Sequence, residues 1–83
     1  MEIAQIHIGK LISDEIARQG LSDEWLMERI GVSERDLRRI FSKPSIGTEQ
    51  LLLISSVLNT NFFSYYSEAL RSAQTAATSN TQQ

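Results

Sequence analysis

The sequence predicts an all-α domain of five helices. Apolar residues recur at intervals of three and four along the chain, and no stretch alternates as a half-buried strand does. Ser22 and Ser33 each stand where a helix cap belongs, eleven residues apart. The stretches are separated by Gly20, Gly31, Pro44 and Asn59, residue types that stop helices.

The elements follow in order. Ile8, Leu11, Ile12 and Ile16 share one face of a first helix, and Gly20 ends it. Ser22 caps a second helix, with Leu21 and Leu26 placed as a hydrophobic staple across the cap. Ser33 caps a third, with Val32 and Leu37 as the staple and Asp36 as the acidic half of a capping box. Pro44 closes that helix, because it lacks an N–H and disfavours helical backbone at Lys43. Thr48 is expected to cap a fourth helix through Leu58, with Asn59 in the left-handed conformation that ends it. Its inward stripe is read as Leu51, Leu52, Ile54 and Leu58. A fifth helix is expected from about Asn61 to Gln74, with Phe62, Phe63, Tyr66, Ala69 and Leu70 on one arc. Residues 75–83, TAATSNTQQ, have no large apolar group to bury and are read as a disordered tail. The domain is thus placed at residues 1–74.

Eighty-three residues with 41% hydrophobic content allow one small core. A domain of this size buries only about 60% of its unfolded surface, so its stability margin is thin. The absence of cysteine removes disulfides and any Cys-based zinc site, and it fits a reducing compartment. With no apolar run long enough for a signal peptide or a membrane span, a cytoplasmic protein is expected, with no membrane partner. The net charge of −2 and the pI near 5.2 argue against a nucleic-acid partner. The distribution argues for one. From Arg29 to Lys43 five basic residues face two acids, so this segment is +3 and the remainder −5.

The third helix concentrates that charge on one side. At about 100° per residue, Leu37, Ile40 and Phe41 form the core face, and Arg35, Ser42 and Arg39 fall within roughly 35° of the opposite direction. Arg38 and Lys43 form the rims. A charged helix face is by default only solvated. Here, however, Arg35, Arg39 and Lys43 stand at i, i+4, i+8, and like charges at that spacing each cost a few tenths of a kcal/mol. Only Glu34–Arg38 makes an opposite-charge pair at i, i+4. Arginine also supplies the fork that guanine O6 and N7 accept. Two short helices joined at Gly31-Val32-Ser33, the second basic on its outer face, have the layout of a helix-turn-helix over about residues 22–42.

On those residues the chain from about Ile6 to Ser67 resembles the lambda-repressor/Cro-like (XRE-type) helix-turn-helix family. The resemblance is carried by Ile8-Gly9-Lys10-Leu11-Ile12, Gly20-Leu21-Ser22, Leu26, Ile30-Gly31-Val32-Ser33, Leu37, Ile40, Pro44-Ser45 and Leu51 to Asn59. The opening IGKLI and the ending NFFSYYSE look like a subgroup common in Bacteroidetes. The resemblance implies a compact five-helix fold, binding to double-stranded DNA, commonly as a homodimer, and a role in transcription regulation at the nucleoid. Repression is the expected sign, because 83 residues hold no separate activating or ligand domain. It places Glu34, Arg35 and Arg39 nearest base edges, Ser42 and Lys43 near phosphates, and Arg38 at either. Met27 stands where the family prefers a small residue, Asp23 where it often has glutamine, and Leu53 where lysine is common.

The remaining residues suggest no chemistry. His7 has no second histidine or cysteine to share a metal, so a surface or capping role is expected. The carboxylates Asp14, Glu15, Asp23, Glu24 and Glu28 are read as solvated. No nucleophile elbow, phosphate-binding loop or metal-ligand spacing occurs, so neither an enzyme nor a cofactor is expected. Trp25 is placed partly buried against the first helix. Leu53, Val57 and Tyr65 fall outside the apolar stripes and are the candidate dimer surface. The alternative function is the same fold used as a protein-interaction module with weak or lost DNA binding, motivated by Asp23, Glu24 and the low pI.

Overall fold

A computed structural model describes the backbone of residues 5–81 and the side chains as far as Gln74. The described residues form five helices: α1 (Ile8–Gln19), α2 (Asp23–Ile30), α3 (Glu34–Ser42), α4 (Thr48–Leu58) and α5 (Phe63–Thr81). Among the described residues there is no strand. α1 packs on α3, and α2 packs on both α3 and α4. One core joins Ile8, Ile12 and Ile16 of α1 to Leu26, Leu37, Ile40, Leu51, Ile54, Leu58 and Phe62.

The helix ends have local causes. His7 caps α1, its Nδ1 accepting from the Lys10 N–H at 3.1 Å. Gly20 closes α1 at φ 73°, with its N–H on the Ala17 carbonyl and the Leu21 N–H on that of Ile16. Ser22 Oγ accepts from the Trp25 N–H at 3.1 Å, and Ser33 Oγ from the Asp36 N–H at 3.2 Å. Leu26 is in the core with Leu21 packed against it, and Leu37 is in the core with Val32 packed against it, so both staples form. Asp36 returns no hydrogen bond to Ser33 among the described residues, leaving the capping box half made. Pro44 follows the extended Lys43 that ends α3. Asn59, at φ 52°, ends α4.

Expectations for α4 and α5 change at four points. Thr48 is the first residue of α4 rather than its cap. Gly47 takes the cap position and makes no side-chain bond, a substitution that costs only a few tenths of a kcal/mol. Leu52 is 61% exposed and does not belong to the inward stripe. The buried set is Leu51, Ile54, Ser55 and Leu58, whose i, i+3, i+4, i+7 spacing turns Leu52 outward. Leu70 is 58% exposed for the same reason, because the buried side of α5 runs through Ala69 and Ala73. The α5 backbone continues past Gln74 to Thr81, since a nucleated helix propagates readily through alanines such as Ala76 and Ala77. The side chains of the expected tail at 75–83 lie outside the described residues, as do residues 82 and 83 altogether.

Glu15 is not a freely solvated carboxylate. Its side chain is only 14% exposed and accepts from the Arg18 guanidinium and from Gln19 Nε2 at 2.7 Å. Gln19 Nε2 also donates to the Leu58 carbonyl at 3.0 Å, and Thr60 Oγ1 lies 3.3 Å from Glu15 Oε2. The end of α1 is thereby tied to the α4–α5 junction. Arg18 first, then the Gln19 hydrogen bond, lower the Glu15 pKa from 4.5 to about 2, against a smaller opposing effect of burial. A depressed carboxylate stabilises the fold above its unfolded pKa, and that stability is lost as pH falls through the folded value. Acid titration should therefore destabilise the protein between pH 4.5 and about 2, and Glu15→Gln should flatten that limb. Identical acid limbs for the two proteins in urea melts would contradict the assignment.

Candidate nucleic-acid interface

Two helices hold α3 in place. Leu37 and Ile40 are buried and Phe41 packs against the core, which fixes the opposite face outward. The C-terminal end of α3 is docked on the start of α1. The Ile8 N–H donates to the Pro44 carbonyl and the Gly9 N–H to the Lys43 carbonyl, both at 2.9 Å. Two of the N–H groups that a helix start leaves unpaired are satisfied this way. Gly9 makes the approach possible, because a Cβ there would lie 2.4 Å from the carbonyl oxygens of Ile40 and Phe41. At the other end, the Met27 carbonyl accepts from the N–H groups of Gly31 at 2.8 Å and Val32 at 3.2 Å, holding the turn into α3. Met27 itself is half-buried against the core.

Glu34, Arg35, Arg38, Arg39, Ser42 and Lys43 are all exposed. Their charges are not equivalent. Arg38 donates to the Glu34 carboxylate at 2.7 Å, so that pair is neutral as a unit. Arg35, Arg39 and Lys43 have no ion partner among the described residues. Arg29, counted in the basic segment, lies on α2 with its guanidinium carbon 4.8 Å from the centroid of the Trp25 ring, a cation–π contact. Ser42 Oγ donates its proton to the Arg39 carbonyl at 2.7 Å and keeps only acceptor capacity outward. Glu34, Arg35 and Arg38 also border a shallow recess of about 320 Å³. Asp23 and Glu24 are exposed in the first turn of α2, where they favour the helix dipole.

Of the candidate dimer residues, Leu53 is 43% exposed and Tyr65 40% exposed, while Val57 is half-buried against the core. Tyr65 stacks on Phe62 with ring centroids 6.4 Å apart. Leu52 and Leu70 are exposed as well, although the sequence placed both on inward arcs. The part played by Gly9 leaves no local sequence signal, because its neighbours are backbone atoms about thirty residues away in sequence. The described residues include no helix long and apolar enough to cross a membrane and no cluster of potential metal ligands. Compared with known proteins, the chain matches no family model, no curated protein and no solved structure.

Proposed function

We propose that α2, the turn and α3 act as a helix-turn-helix of the lambda-repressor/Cro-like (XRE-type) kind. The chain would be a sequence-specific transcriptional regulator, a repressor in the first instance, working in the cytoplasm as a homodimer on duplex DNA. α3 enters the major groove, and the two copies read half-sites about one helical turn, roughly 34 Å, apart. The observation that carries this reading is the set Arg35, Arg39 and Lys43, without ion partners among the described residues, along the outer face of a short helix seated by Leu37 and Ile40. Repelling cations at i, i+4, i+8 cost the free protein stability, and a polyanion removes that cost. Leu53, Val57 and Tyr65 are the surface offered for pairing of the copies.

The acidic remainder of the chain, with Asp23 and Glu24 exposed beside the turn, favours the alternative of a protein-interaction module with weak or lost DNA binding. Salt dependence separates the two. Neutralising about three phosphates per protomer gives a log–log slope of duplex affinity against salt of about −3, and about −5 for a dimer. A fluorescence-anisotropy titration across salt concentrations should return one of those slopes. A slope near zero, or no duplex binding at all, would favour the interaction module.

A further inference from the structure

We infer that the outward face of α3 reads G·C base pairs, and that each half-site carries two guanines one or two base steps apart on one strand. The inference rests on the duplex-DNA reading and narrows its substrate class. α3 is ERDLRRIFS. It holds no asparagine or glutamine, the side chains whose amides match the N6 and N7 edge of adenine. Its three apolar residues, Leu37, Ile40 and Phe41, are committed to the core, so none is left outward to meet the methyl group of thymine.

What remains outward suits G·C. The Arg35 and Arg39 guanidinium groups have no ion partner among the described residues, and each presents a donor fork to guanine O6 and N7. Arg38 is held by Glu34 at 2.7 Å. The Glu34 carboxylate accepts hydrogen bonds only. On a base edge it matches the N4 amino group of cytosine and is repelled by the O6 and O4 acceptors of guanine and thymine. Arg35 and Arg39 are four residues apart, about 6 Å along the helix axis and about 40° around it. Bases on one strand rise about 3.4 Å per step, so the two forks reach guanines one or two steps apart.

The test is selection of bound duplexes from a random pool by the full chain, followed by 7-deazaguanine placed at one guanine of the winning site at a time. That analogue removes the N7 acceptor and leaves base pairing intact. A G·C-rich half-site is expected, and each of two replacements should weaken binding roughly 5- to 150-fold. Arg35→Ala should abolish the penalty at one guanine and Arg39→Ala at the other. Arg39→Lys keeps the exposed charge without the planar fork, so it should still bind duplex with a reduced preference at its guanine. An A·T consensus, or 7-deazaguanine without effect, would overturn the inference and leave the DNA reading standing. Failure to retain any duplex at low salt would overturn both.

Discussion

Gly9→Ala is expected to destabilise the protein by about 3 kcal/mol or more. Helix propensity alone predicts the opposite sign, because alanine in a helix interior is favoured over glycine by about 1 kcal/mol. The difference is made by what the new methyl group would meet. A Cβ at Gly9 lies 2.4 Å from the Ile40 and Phe41 carbonyl oxygens and 2.6 Å from the Phe41 carbonyl carbon. A methyl group has no rotamer through which to escape, and its neighbours are backbone. Relief requires α1 to lift off the last turn of α3. That displacement strains or breaks the Ile8-to-Pro44 and Gly9-to-Lys43 hydrogen bonds, each worth about 1 kcal/mol. Total stability for a domain of this length is only about 4–12 kcal/mol, so the loss should be plain in a urea melt. Gly47→Ala is the control, since a Cβ there meets nothing within 4 Å. It should change stability by no more than a few tenths of a kcal/mol to about 1 kcal/mol, the cost of losing a glycine cap. A Gly9→Ala midpoint equal to that of the wild type would show that α1 does not hold α3 through this contact.

The second large effect is on binding. Replacing Arg35 and Arg39 together by alanine should remove about 2–6 kcal/mol of sequence discrimination, at roughly 1–3 kcal/mol for each bidentate contact. The same change should leave the fold intact, because both side chains are exposed and neither has an ion partner among the described residues. Removing like charges at i, i+4 should even stabilise α3 by a few tenths of a kcal/mol. Arg39→Ala alone should relax base preference as well as weaken binding. A uniform loss across all duplex sequences would make Arg39 a phosphate contact instead. A fall in stability matching the fall in affinity would assign both residues a structural role.

What the sequence disclosed was local. Ser22, Ser33, Gly20 and Asn59 act through hydrogen bonds or backbone angles within a few residues of themselves, so their types and positions were enough to place the helix boundaries. The outward face of α3 was legible for a related reason. Leu37, Ile40 and Phe41 leave only one way for a short helix to lie on a core. α4 was harder to read because TEQLLLISSVL offers apolar residues on nearly every side. Three consecutive leucines do not say which of them faces in. The answer came from packing, with Leu51 buried and Leu52 exposed. Glu15 and Gly9 were illegible for a different reason. Thr60 and Leu58 meet the Glu15–Gln19 pair across about forty residues of sequence, and the Phe41 carbonyl meets Gly9 across about thirty. Neither meeting leaves a periodic trace. The division of the basic segment likewise needed geometry. Five basic residues between Arg29 and Lys43 resolve into one set over Trp25, one paired with Glu34 and three without an ion partner among the described residues.

Those three cations are the reason we propose duplex DNA as the partner, and mobility shift of random genomic fragments at low salt tests the proposal most directly. The wild-type protein should retard the fragments, the complex should dissolve as salt is raised, and the variant lacking Arg35 and Arg39 should compete poorly. Wild-type protein that leaves every fragment unshifted at low salt would contradict the account.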